Sequence, residues 1–379
     1  MQVYLDNSAT TKVCKEAADK AYEIMTEGYG NPSSLHSLGN KAAKELKNAR
    51  KTILDRFGGG NKSQLIFTSS GTESDNMAII GTFNRLKRRA DEIITTQVEH
   101  PAVLETCKYL EKQGAKIKYL SVDSDCKIDI DELSSEISDK TALISVMTVN
   151  NETGSIMPVS KIAELKGNAI LHTDAVQAFG KLRMDKLNAD LISISSHKIN
   201  GPKGTGAIYA KSSELLSPIL HGGGQEKGYR SGTENLPGIA AFGVATEKVY
   251  ENIEVRTKKI EELNRYLRKG IEEEIEDIRF NSPIDACPSV LNVSILSTRS
   301  EVILHRLEQE GIMVSTGSAC SSGKKGDSHV LKAMGLSHKD IEGAIRFSFS
   351  AENTIDELDY VLCKLKDAVT DFRKLGSFR

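Results

Sequence analysis

Between about residues 40 and 250 the chain alternates helical segments with short apolar runs that end in polar residues. These runs are Gln64 to Thr68, Glu92 to Gln97, Ile117 to Val122, Ala142 to Thr148, Ala169 to Thr173, Leu191 to Ser195 and Gly206 to Ala210. Most are continuously hydrophobic rather than alternating, which predicts strands covered on both faces, as in a largely parallel sheet. The rhythm predicts an α/β fold.

From Thr246 to Ile278 the pattern changes to a charged segment with apolar residues at Ile260, Leu263, Leu267, Ile271 and Ile275. That spacing predicts one long amphipathic helix bridging into a smaller α+β domain. There the expected elements are a strand over Val290 to Leu296, a helix over Arg299 to Glu310, a strand over Ile345 to Ser350 and a closing helix over Ile355 to Leu375. A chain of 379 residues exceeds what one core usually serves. The expected division gives 14–255 to the large domain and joins 1–13 to 256–379 in the small one.

Charge and composition narrow the partners. Lys+Arg 50 against Asp+Glu 52 leaves a net charge of -2, which argues against direct nucleic-acid binding. No apolar run approaches the roughly 18 residues of a membrane span, and Asp6 interrupts the N-terminus before a signal-peptide core could form. A cytoplasmic protein is expected. The six cysteines are scattered without a CxxC pair, so neither a disulfide framework nor a metal site is indicated.

Candidate chemistry sits at the ends of four expected strands. Phe67-Thr-Ser-Ser-Gly71-Thr72-Glu-Ser74 runs from a strand into a helix N-terminus, a natural phosphate seat that also reads as an ordinary cap. His100 follows Val98-Glu99, and Asp174 follows His172-Thr173 in a segment that continues to Gln177. Each taken alone also reads as a packed loop residue or a cap. Lys198, in Ser195-Ser-His197-Lys198, closes a buried strand before a Gly-rich loop and has little structural reason to be there. Together these supply a phosphate cradle, an imidazole, an acid for a pyridinium nitrogen and a lysine for a Schiff base, the inventory of pyridoxal 5'-phosphate (PLP) chemistry. The competing motifs fail. The Gly-Thr-Gly at Gly204 leads into a strand, the loop ending at Lys324 does not match a Walker A, and His221-Gly-Gly-Gly224 lacks a GxSxG elbow.

Cys320 lies in a run of small residues, Ser315-Thr-Gly-Ser-Ala-Cys-Ser-Ser-Gly-Lys324, unlike the settings of the other cysteines. A buried inert thiol and a thiol carried by a mobile loop to an electrophile both fit that pattern. With Tyr4-Leu-Asp-Asn-Ser-Ala-Thr-Thr11, Gly30-Asn-Pro-Ser-Ser-Leu-His36, Gly222-Gly-Gly-Gln-Glu226 and Tyr229-Arg-Ser-Gly-Thr-Glu-Asn-Leu-Pro237, the chain resembles the NifS/IscS family of cysteine desulfurases over nearly its whole length. These are homodimeric fold-type I PLP enzymes.

The resemblance implies that PLP binds in the large domain and that Lys198 forms the Schiff base. It implies that His100 stacks on the cofactor ring, Asp174 pairs with its nitrogen and Gln177 contacts its phenolic oxygen. Gly71, Thr72, Ser195 and His197 would hold the phosphate, Thr233 would reach the phosphate of the other subunit, and Asn150 and Arg346 would grip the substrate carboxylate. L-cysteine would give L-alanine, its sulfur held as a persulfide on Cys320 and passed to a protein acceptor such as an iron–sulfur scaffold or a tRNA-thiolating enzyme. The alternatives are a selenocysteine lyase or other PLP enzyme, or a non-catalytic scaffold. Ser350-Ala-Glu-Asn353 departs from the Gly and basic residues common at that point in the family, which bears on partner docking.

Overall fold

The computed structural model describes residues 1–316 and 326–376. The chain opens with β1 (Val3–Tyr4), whose partner lies near the other end of the sequence. Seven strands then build the main sheet: β2 (Gln64–Thr68), β3 (Glu92–Thr96), β4 (Lys116–Leu120), β5 (Thr141–Ser145), β6 (Ile170–Asp174), β7 (Leu191–Ser195) and β8 (Gly206–Ala210). Their order is β2-β8-β7-β6-β5-β3-β4. The pairs from β4 through β3, β5 and β6 to β7 are parallel, and β8 runs against both its neighbours.

The continuous apolar runs have a direct cause. Successive side chains of a strand point to opposite faces, and here both faces are covered. Leu65, Ile94, Ile144, Leu171 and Ile192 enter one hydrophobic cluster, while their neighbours Ile66, Ile93, Leu143, Ile170 and Leu191 enter another. The edge strand β4 is the exception, with Lys116 exposed and Ile117 only partly buried, as an edge that must not recruit another strand requires. Ala142 to Thr148 proved shorter than the apolar run, because the chain turns out of the sheet after Ser145. Its amides at Val146 and Thr148 still donate to the carbonyls of His172 and Asp174, which ties this exit to the end of β6.

The single helix expected over Thr246 to Ile278 is two, Leu236–Glu251 and Ile253–Glu274, and Ile278 begins a strand. Asn252, with φ -134 and ψ 35, breaks the ladder. The two halves serve different cores: Ile239, Phe242 and Ala245 pack into the main-sheet cluster, and Ile260, Leu263, Leu267 and Ile271 into a separate one. One straight helix could not turn its apolar stripe from one core to the other.

That second core covers a smaller antiparallel sheet. It contains β9 (Ile278–Phe280), β10 (Val290–Ile295) and, beyond the two-residue β11 (Ile312–Met313), β12 (Ser315–Thr316) and β13 (Ala344–Ser348), in the order β12-β13-β10-β9. Strand β1 pairs in parallel with β11, and Val3 and Leu5 are buried in this core with residues of the Ile355–Gly376 helix. The molecule is thus an α/β fold with a mainly parallel main sheet covered by helices and a smaller α+β layer. No described helix is long and apolar enough to cross a membrane.

Candidate active site

The C-terminal ends of the parallel strands converge at one edge of the main sheet, where open α/β sheets place their ligand crevices. Strand β2 leads into the Gly71–Leu86 helix, capped by Ser70, whose Oγ accepts from the Glu73 amide at 3.2 Å. Gly71 is needed there because a Cβ would lie 2.7 Å from Val176 Cγ2. The chain after β3 reaches His100, which caps the Pro101–Glu111 helix: its Nδ1 accepts from the Ala102 amide at 3.1 Å. In the neutral ring the proton is therefore on Nε2. Strand β6 ends at Asp174, whose Oδ1 accepts from the Val176 amide at 2.8 Å. Strand β7 ends at Ser195 and passes through a tight turn, Ser196–Lys198, that aims the lysine back across the strand ends.

Gly71, Thr72, His100, Asp174, Gln177, Ser195, His197 and Lys198 all line one cleft of about 330 Å3, a volume in the roughly 300–1,000 Å3 span of small-molecule sites. Lys198 Nζ donates to the carbonyls of Ser8 and Ala9, the latter at 2.9 Å, which brings the N-terminal segment over the site. Ser195 Oγ is buried and has no hydrogen-bond partner among the described residues. His197 Nδ1 lies 3.2 Å from Thr10 Oγ1, and burial with the nearby Lys198 and Lys203 charges pulls its pKa down to about 4.

The electrostatics follow from burial. His100 is pulled below the usual histidine range by burial, against the opposing pull of Asp174. Burial pushes Asp174 up, while His100, the Val176 amide and Lys198 draw it back toward ionisation. Asp75, one turn into the Gly71–Leu86 helix, also lines the cleft and is pushed well above the carboxylate range by burial and by Asp174. Burial and the Asp174 charge thus both disfavour an ionised Asp75, whereas His100 and Lys198 favour the ionised form of Asp174.

Three expected site residues do not line this cleft. Thr233 is exposed in the loop before the Leu236–Glu251 helix and does not line this cleft. Asn150 is fully buried, its Oδ1 accepting from the Glu152 and Thr153 amides and its Nδ2 donating to Val98 O at 3.0 Å. Its side chain shapes the turn, and it is the next residue, Asn151, that lines the cleft. Arg346 is buried on β13, with Nη1 donating to Asn151 O at 3.0 Å and Nη2 2.9 Å from Asp6 Oδ1. Cys320 lies outside the described residues. Sequence reasoning missed Asp75, Asn151 and His329, whose Nε2 is 3.0 Å from Glu99 O beside His100. Asp75 did carry a signal: with Ser74 and Thr82 it interrupts the otherwise apolar buried face of its helix.

The donor set suits PLP. A phosphate group could use the helix amides at the Gly71 end and the Ser195 hydroxyl, which has no partner among the described residues to give up.

Comparison with known proteins agrees. Residues 3–361 match the aminotransferase class-V family. The chain is 41% identical to the cysteine desulfurase IscS of Clostridium botulinum, with 99% of this chain and 96% of that protein covered. It is 42% identical to the cysteine desulfurase IscS of Methanosarcina thermophila, covering 99% and 93% respectively. Among solved structures, a NifS-like protein matches with a TM-score of 0.91 at 36% identity over 98% of this chain and 100% of that one. SspA in complex with cysteine matches with a TM-score of 0.82 at 32% identity over 93% and 100%. The fold and cleft are those of a PLP-dependent enzyme of fold type I. The chain belongs to the aminotransferase class-V family and, within it, to the NifS/IscS cysteine desulfurases.

Proposed function

We propose that the cleft at the strand ends desulfurates L-cysteine with Lys198 as its base and Cys320 as its sulfur acceptor. The observation that carries this is the convergence of Lys198, Asp174, His100 and the Gly71 helix end in one cavity. Gly71, Thr72, Ser195 and His197 would hold the phosphate of PLP, Asp174 its ring nitrogen and Gln177 its phenolic oxygen, and His100 would contact the ring. When bound, PLP supplies an electron sink for the Cα–H and Cβ–S bonds of the amino acid.

The protein does the rest. Arg346, with Asn151 beside it, orients the substrate carboxylate, since a guanidinium fork matches that group. Lys198 Nζ takes the Cα proton and can return a proton to the carbon skeleton. The Cys320 thiolate attacks the cysteine sulfur; an S–S bond forms as Cβ–S breaks, the electron pair stays on the carbon fragment, and that fragment is protonated and leaves as L-alanine. The persulfide then passes to a protein acceptor, in iron–sulfur cluster assembly or tRNA thiolation.

The reading includes a cytoplasmic homodimer in which Thr233 reaches the neighbouring subunit's phosphate, with 14–255 as the PLP-binding domain and 1–13 with 256–379 as the small one. Its exposed position, one turn before the Leu236–Glu251 helix, supports an outward role for Thr233. Mass spectrometry after mixing with L-cysteine and an alkylating agent, alongside the visible spectrum, tests the scheme. A borohydride-sensitive band at Lys198 and one added sulfur atom on Cys320 are expected; a colourless protein with no added sulfur defeats it.

A further inference from the structure

Behind the cleft, a helical turn after β6 carries a second lysine. The Phe179 amide donates to Ala175 O and the Leu182 amide to Ala178 O, so the chain winds here and Gln177 and Lys181, four residues apart, meet. Lys181 Nζ donates to Gln177 Oε1 at 3.0 Å. Gln177 Nε2 donates to Ser8 O at 2.9 Å, and Lys198 Nζ donates to the same carbonyl. One hydrogen-bonded path therefore joins the two lysines. Burial lowers the Lys181 pKa; the other groups acting on it are the Cys287 thiol and the Arg346 guanidinium, and no carboxylate of the described residues pairs with it.

An amide side chain can sit either way round, and its neighbours decide which end faces where. An ammonium only donates, so it claims Oε1 and leaves the N–H end to face the other way. The Ser8 carbonyl favours the same orientation, but Lys198 shares that carbonyl and must leave it to do chemistry. Lys181 is the end of the path that no reaction step touches. We propose that Lys181 is a positioning residue: it locks the Gln177 amide so that the cleft presents a hydrogen-bond donor to an anionic oxygen of the bound cofactor. This rests on the PLP reading of the site.

The test is titration of the apo-protein with pyridoxal phosphate, with circular dichroism and a thermal midpoint to establish folding. Lys181→Met is expected to weaken binding about tenfold, the worth of one hydrogen bond to a charged group. Lys181→Arg, which still donates, is expected to restore most of it. In a Gln177→Met background Lys181→Met should add nothing, because its effect runs through the amide. Wild-type affinity in Lys181→Met overturns the inference, as does an equal loss in both backgrounds, which would mean the charge acts directly. A second probe does not depend on that variant folding. Gln177→Glu keeps the Lys181 contact but turns an acceptor to the cleft, so it should bind more weakly than Gln177→Met; equal or tighter binding counts against the donor role. A wild-type protein that takes up no pyridoxal phosphate defeats the functional reading itself, an outcome distinct from either failure above.

Discussion

Asp6 and Arg346 lie 340 positions apart in the chain and 2.9 Å apart in space, Asp6 Oδ1 facing Arg346 Nη2. The contact brings the N-terminal segment onto β13 and occupies part of the guanidinium that the proposed reaction would use for the substrate carboxylate. On that proposal Asp6 would both hold Arg346 in place and compete with the substrate. Arg346→Lys keeps the charge but loses the planar fork, so the KM for L-cysteine should rise by about tenfold or more, with kcat less affected. Asp6→Asn removes the competing charge while the Asn151 carbonyl still anchors Nη1, and KM is expected to fall. Steady-state kinetics of the two variants checks both directions; a rise in KM for Asp6→Asn would show that anchoring outweighs competition.

A second ion pair is structural. Glu226, its side chain 2% exposed, is bound by both Nη1 and Nη2 of Arg50 at 2.7 Å and accepts from the Phe67 amide at 3.0 Å. Glu226 and Lys227 are held at φ 48 and 56, a left-handed conformation that costs non-glycine residues energy. Arg50→Met strands a buried carboxylate and should destabilise the fold by about 3 kcal/mol in denaturant unfolding. Replacing both, as Arg50→Met with Glu226→Gln, should recover much of that loss. Equal stabilities for the single and double variants would contradict this account.

The pattern of apolar runs carried the main sheet well because a strand buried on both faces leaves an unbroken signature, and β2, β7 and β8 match their runs end for end. It also brought Lys198 forward, since a lysine closing an apolar strand has few structural uses, whereas Asp174 and His100 each read alone as a cap or packed loop residue and gained weight only in combination with it. It failed where the answer depends on a long-range partner. Nothing in Thr246 to Ile278 says that its apolar stripe serves two cores, so the break at Asn252 was invisible. Asn150 and Asn151 are chemically identical neighbours, and only the turn's hydrogen bonds decide which faces the cleft. Lys181 carries no signal in the sequence, because its partner is a neutral amide.

Buried acids make stability depend on pH in a direction that can be worked out. Burial raises Glu99 to about 8, although Thr96 Oγ1 and the Met147 amide bind its carboxylate. The folded-state pKa lies above the unfolded value of about 4.3, so the folded state binds more protons between the two. The contribution is complete below pH 4.3 or so and is lost as pH rises through about 8. Glu99→Gln should flatten the decline of unfolding free energy over this window. A slope unchanged from the wild type would mean that Glu99 is not its source. His172, buried between Ser145 and Ser193 and lowered to about 3, acts in the opposite sense, costing stability as pH falls below the usual histidine value.

Ser195 offers a test of the cofactor site that does not require turnover. Its hydroxyl is buried at the end of β7 with no hydrogen-bond partner among the described residues, so without a ligand it contributes an unmet polar group rather than a stabilising contact. Removing it should leave the apo-protein as stable as the wild type or slightly more so. With PLP present the same change deletes a hydrogen bond to a charged phosphate, worth about 1.5–3 kcal/mol, or roughly ten- to a hundredfold in affinity. Ser195→Ala is therefore expected to keep the apo thermal midpoint and lose the extra stabilisation that pyridoxal phosphate gives the wild type. A variant that loses apo stability instead would show that the hydroxyl serves the fold, and one that binds pyridoxal phosphate as tightly as the wild type would remove Ser195 from the phosphate cradle.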